Sequence, residues 1–242
     1  MTSRLFVGGL IISIVLFPPA FDGLRWQEMF SGLDMRLVND EEGGMESATD
    51  YRKSYNADTP EERREILLPF MWTEIAKKGV ILGAPEANSE VVVANEIRVS
   101  YPGYNEILSG IADPDIRSNA RLPNKNVTVL EWLNAKPAYA GRIAAFCSWE
   151  IFNVIINEER SGLPVNAGWD DRLPGHSERA KTLNALNEEQ PRFWGAIRID
   201  IITHTGAIDA LRVDKPRVLY VGYGETDDWG HDRRYDMYLD AA

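Results

Sequence analysis

Arg217-Val-Leu-Tyr-Val-Gly222, followed after Tyr223 by Gly224-Glu225-Thr226-Asp227-Asp228-Trp229-Gly230-His231-Asp232, is the stretch that decides the fold. A short unbroken apolar run ending in glycine reads as a strand buried on both faces of a parallel sheet. Arg142 to Cys147 reads the same way. Between them, Glu189 to Leu211 carries Phe193, Ile197 and Ile201 at helical spacing. Upstream, Thr59-Pro60-Glu61-Glu62 is a helix start, with a capping hydroxyl, proline in the first turn and then acids. That helix is expected to run to about Lys78, kinked at Pro69 and stopped at Gly79. Val80 to Gly83 and Glu90 to Val99 are expected to be strands, and Asn126 to Leu133 a helix. Trp149 to Ile156 fits either state, and residues 34 to 58 read as a polar loop or insertion. Strands alternating with helices predict one α/β domain, its largely parallel central sheet flanked by helices.

Composition bounds the function. Of 242 residues, 44% are hydrophobic and 26% charged, which excludes disorder, collagen-like repeats and coiled coil. Lys+Arg 26 against Asp+Glu 37 gives a net charge of −11, so the surface repels polyanions and no nucleic-acid binding is expected. One cysteine, Cys147, excludes an internal disulfide and a cysteine cage for zinc. Any metal must therefore be held by Asp, His or hydroxyl oxygen.

Leu5 to Phe17 is an apolar run after Arg4 and before Pro18-Pro19-Ala20. It is shorter than the roughly 20 residues of a membrane span, so none is expected. The run suits either the core of an export signal or a buried first strand at Ile11–Phe17. A rigid strand behind Asp22 would suit a functional role for that residue.

In open α/β sheets, reactive groups gather at the carboxyl ends of strands. Three segments have that context: Phe21-Asp22-Gly23, Val99-Ser100-Tyr101-Pro102-Gly103-Tyr104-Asn105-Glu106, and the Gly224–Asp232 turn. Asp-Gly alone is an ordinary turn, and Ser before Tyr-Pro-Gly is an ordinary cap. Asp227 and His231 stand at i and i+4, which in a helical turn aims both at one spot. An Asp/His pair suits zinc, although the same acids, with Glu225, Asp228, Asp232 and Asp236, also suit a solvated turn. His176 reads as a surface residue and His204 as a packing histidine within its helix.

The order Asp-Gly, Ser-Tyr-Pro-Gly-Tyr and Glu-Thr-Asp-Asp-Trp-Gly-His resembles the alkaline phosphatase superfamily. The likeness is to its phosphodiesterase, phosphoglycerate mutase-like and sulfatase branches. Asp22-Gly23-Leu24-Arg25-Trp26-Gln27-Glu28, Ser148-Trp149-Glu150, Asn157-Glu158-Glu159-Arg160-Ser161-Gly162 and Val165-Asn166-Ala167-Gly168 look like one bacterial branch of it. The resemblance covers about residues 20 to 240. It implies an alkaline phosphatase-like fold and a site for two divalent metals, usually zinc. Asp22 then looks like a ligand of the metal that activates the nucleophile, and Ser100 like that nucleophile. Asp227 and His231 look like ligands of the other metal, and Asn105 like a group orienting a phosphoryl oxygen. The implied substrate is a small-molecule phosphate or sulfate ester, hydrolysed or passed on by a related phosphomutase. Relatives with these motifs are mostly exported, which implies an extracytoplasmic location. The superfamily supplies a further Asp-His pair and a later His beyond this position, whereas no His follows His231. The resemblance thus implies a fold and ligand set incomplete at the C-terminus, and an activity correspondingly weak.

Overall fold

The computed structural model describes residues 15–16, 20–39, 43–84 and 88–242. Its centre is an all-parallel sheet built from β1 (Val15–Leu16), β2 (Ala20–Phe21), β3 (Ile143–Cys147), β4 (Val165–Ala167) and β5 (Val218–Tyr223). β1 and β2 lie along one side of β5, so the order across the sheet is β1/β2, β5, β3, β4. Val15 pairs with Val218 and Ala20 with Gly222, while Ile143 to Cys147 pair with Val218 to Gly222. Of the expected strand Ile11–Phe17, only Val15–Leu16 falls within the described residues.

The apolar runs of β3 and β5 are explained by cover on both faces. Alternate residues Ile143, Ala145, Cys147, Val218 and Tyr220 face one core, with Tyr104, Leu130, Phe152 and Ile155. These last four come from three helices: α5 (Ser100–Ser109), α6 (Val129–Asn134) and α7 (Phe152–Ile155). Phe146, Leu219 and Val221 face the other core, against Ala207 and Ala210 of α10 (Asp200–Val213). Gly206 permits that approach, because a Cβ there would lie 2.7 Å from Phe146 and Leu173 side-chain carbons.

A third core is helical. α1 (Trp26–Ser31), α2 (Ala48–Tyr55) and α3 (Pro60–Leu67) pack with α12 (Tyr235–Ala241) around Leu33, Val38, Met45, Leu67, Tyr238 and Leu239. Residues 34 to 58, expected as a polar loop, thus hold a helix and two core residues, Val38 and Met45. The Thr59 helix starts with the expected capping hydroxyl, and Glu62 completes it to a capping box. It breaks at Leu68, one residue before Pro69, then winds as a π-turn over Met71–Ile75 and the short α4 (Ala76–Lys78) before Gly79.

Two expectations fail. Val80–Gly83 and Glu90–Val99 form no strand. Their donors are bonded elsewhere: the Ala94 and Asn95 N–H groups go to the Glu106 carboxylate, Ile97 N–H to Asn95 Oδ1 and Gly83 N–H to Ser89. Val91, Val92 and Val93 are left exposed. Glu189–Leu211 is also not one helix. α9 (Glu178–Glu189) ends before Pro191, and α10 begins only at Asp200. Two short helices complete the chain: α8 (Glu158–Ser161) and α11 (Glu225–His231). Among the described residues, no helix is long and apolar enough to cross a membrane.

Candidate functional site

Because the strands are parallel, the turns after β2, β3, β4 and β5 share one edge of the sheet. Asp22 leaves β2 there with its backbone fixed on both sides. Its N–H donates to Tyr223 O at 3.0 Å, and its carbonyl accepts from the Thr226 hydroxyl. Gly23 follows at φ +73°, and a Cβ on it would lie 2.6 Å from Asp227 Cα. Glycine is required there for α11 to bring Asp227 beside Asp22.

Ser100 arrives from the opposite side as the first residue of α5. The motif behind it is an anchor. Tyr101 is buried, donates its hydroxyl to Leu122 O at 2.8 Å and its N–H to Asn119 Oδ1 at 2.9 Å. Tyr104 packs edge-on against Phe152, with ring centroids 4.7 Å apart. Asp22, Ser100 and Asp227 thereby line one open cleft of about 830 Å³, together with the Val92–Val99 segment.

The carboxylates in this cleft disturb one another. Burial pushes the Asp22 carboxyl up to about 7, the nearby Asp227 pushes the same way, and a hydrogen bond from Ser100 opposes both. Asp228 is raised to about 7 as well, by burial and by Asp227. Its Oδ2 is buried without a hydrogen-bond partner. His231 lies at the exposed end of α11, with Nε2 3.4 Å from Asp227 Oδ2. The i, i+4 spacing therefore does bring Asp227 and His231 together.

Asn105 is not brought to the cleft. It is fully buried, its Nδ2 donates to Ile111 O at 2.7 Å, and its Oδ1 accepts from Asn126 at 3.0 Å. Its place on the buried face of α5 makes it a loop anchor. His176 is a partly exposed surface group 3.2 Å from Asp214. His204 departs from expectation, being exposed and bonded through Nδ1 to the Tyr223 hydroxyl at 2.7 Å. Asp236 is not solvated either, since Arg234 and the Glu46 and Met237 N–H groups hold it in the helical core.

A second Ser–Asp pair stands on the same edge with no role predicted from sequence. Ser148, directly after β3, donates to Asp200, which also accepts from the Gly224 and Glu225 N–H groups at 2.9 and 3.1 Å. Ser148 also meets Thr203 at 2.8 Å, and Thr203 accepts from the fully buried Arg198. Arg198 gives three further donors to the Asn166, Gly168 and Asp171 carbonyls. This network ties the ends of β3, β4 and β5 together. Arg198, Asp200 and Thr203 are close in sequence, but Ser148 is 52 residues from Asp200 and Gly224 is 24, so no local pattern announces the network.

The donor chemistry of Asp22, Ser100 and Asp227 suits one hard divalent cation. It does not suit a filled pair. Asp227 and His231 are only two ligands for a second ion, and among the described residues no three His, Cys, Asp or Glu side chains form a metal-holding group. Compared with protein-family models, curated proteins and solved structures, the chain matches none, so its likeness to the alkaline phosphatase superfamily rests on the motifs themselves.

Proposed function

We propose that the chain transfers the phosphoryl group of a small-molecule phosphate ester, or the sulfuryl group of a sulfate ester, to Ser100 and from there to water. One observation carries the reading. Asp22, Ser100 and Asp227, from distant parts of the chain, line one cleft at the carboxyl edge of a parallel sheet, where burial and then Asp227 push the Asp22 carboxyl up to about 7 and the Ser100 hydroxyl beside it pulls the other way. A group titrating near neutrality is suited to general-base work.

Asp22 in its ionised form accepts the Ser100 proton as Oγ attacks phosphorus. The Oγ–P bond forms, the bond from phosphorus to the alcohol oxygen breaks, and the departing oxygen takes up a proton. Water then attacks phosphorus and gives a proton to Asp22, the Oγ–P bond breaks, inorganic phosphate leaves, and Ser100 Oγ takes that proton back. The N-terminus of the ten-residue α5 lies at the nucleophile and favours negative charge there. Its donors offer little more, because the Tyr101 N–H is bonded to Asn119 and Pro102 has none. A divalent cation, if bound, would be held by Asp22, Ser100 and Asp227 and would supply positive charge that favours the Ser100 alkoxide. With so few protein ligands per metal, turnover is expected to be slow, and added zinc to raise it only slightly.

A catalytically silent binding protein of the same architecture is the second reading, favoured by the short ligand count given above. Acid-quenched single turnover with 4-nitrophenyl phosphate and 4-nitrophenyl sulfate separates the two. The proposal expects a phosphoryl or sulfuryl adduct on the Ser100 peptide in mass spectrometry. Hydrolysis without that adduct, and unchanged in Ser100→Ala, would overturn it.

A further inference from the structure

A second cavity, of about 380 Å³, shares Gly23 and Asp227 with the nucleophile cleft. We propose that this cavity holds a planar aromatic group carrying its own negative charge, as the leaving-group side of the ester. Its walls include Leu37, Trp229, Tyr235 and Tyr238. The two tyrosine rings stack on one another at 5.7 Å. Their hydroxyls are already engaged: Tyr238 accepts from the Arg25 N–H, and Tyr235 accepts from the Asp34 N–H while donating to Glu28. Both tyrosines are buried in the helical core, so the ring surface open to a ligand is chiefly that of the half-buried Trp229.

The charge on the lining is the second observation. In a chain of net charge −11, the described residues lining the cavity include three arginines, Arg25, Arg233 and Arg234, and one carboxylate, Asp227. Arg25 is neutralised by Glu28 and Asp34, and Arg234 by Asp236 and Glu46. Arg233 is exposed and forms no ion pair among the described residues. An aryl carboxylate can lay its ring on the aromatic wall and its charge on Arg233. That orientation points the ester oxygen back toward Asp227 and the cleft. The leaving-group role rests on the phosphoryl-transfer reading, whereas capture of an aryl anion rests on the cavity alone.

Calorimetric titration of the full chain with 4-hydroxybenzoate and with phenol tests it, since neither probe carries a phosphoryl group. The carboxylate is expected to bind about tenfold more tightly than phenol. Arg233→Asn is expected to erase that difference and leave phenol binding as it was. Asparagine tolerates the left-handed backbone at this position, φ +56°. Equal binding of the two probes, no binding at millimolar concentration, or an unchanged preference in Arg233→Asn would each overturn the proposal. A flat titration would leave the Ser100 chemistry untouched, and a missing Ser100 adduct would leave this binding untouched.

Discussion

Ser100–Asp22 and Ser148–Asp200 are the same chemical pair on the same edge of one sheet, and their surroundings make them opposites. Asp200 is ringed by donors: the Ser148 hydroxyl and the Gly224 and Glu225 N–H groups. Burial still raises its carboxyl to about 6, but these hydrogen bonds oppose the shift. Asp22 has the Ser100 hydroxyl and the Gly23 N–H nearby, but it shares its open cleft with Asp227 and feels the charge of Asp228 as well. A carboxylate surrounded by donors holds structure together. One surrounded by other carboxylates is at odds with its neighbours until a proton or a cation joins them.

The comparison breaks first on activity. Ser100→Ala is expected to lower 4-nitrophenyl phosphate turnover by about 1,000-fold or more, down to background. Ser148→Ala should leave turnover within about twofold, because Ser148 lies outside the cleft lining. Stability reverses the order. Asp200→Ala strands two backbone N–H groups and the Ser148 hydroxyl, and should cost about 2–4 kcal/mol in urea unfolding. Ser148→Ala removes a single donor and should cost about 1–3 kcal/mol. Asp22→Asn abolishes the base yet should stabilise the fold by up to about 1 kcal/mol at neutral pH, since it removes repulsion from Asp227.

The smallest effect is a slope with pH. Asp22 and Asp228 are raised to about 7 and Asp200 to about 6, from an ordinary 3.8. Between about pH 4 and pH 7 the native state therefore binds more protons than the unfolded chain. The stability these groups give is full below about pH 4 and is lost as pH rises through 7. The opposing carboxylates, Asp34, Glu106, Asp113 and Asp236, are lowered and lose their contribution only in more acidic solution. The urea midpoint should thus fall from pH 5 to pH 7.5, and Asp22→Asn should flatten the fall.

What was legible in the sequence was local. The runs Arg142–Cys147 and Arg217–Gly222 read correctly because burial on both faces leaves no place for a polar residue. Asp22, Ser100, Asp227 and His231 were legible as residues at turns after apolar runs or at one helical spacing, although Ser100 in fact follows an irregular segment. Val91-Val92-Val93 has strand composition, but Glu106 takes up the backbone donors beside it, and composition alone does not reveal where donors go. Asn105 stands five residues after Ser100 in α5, and the helical twist carries it to the buried face. The Ser148–Asp200–Arg198 network and the Arg233 cavity join residues from several elements, and only the folded chain brings them together.

The central claim is that Asp22 and Asp227 confront one another beside Ser100, and a carboxyl-carbon NMR titration of the aspartates reads this without any substrate. The Asp22 signal is expected to titrate near pH 7 in the wild-type protein and at clearly lower pH in Asp227→Asn. A divalent cation at saturating concentration should lower the wild-type midpoint in the same direction. An Asp22 midpoint near 4 that neither Asp227→Asn nor the cation moves would contradict the account.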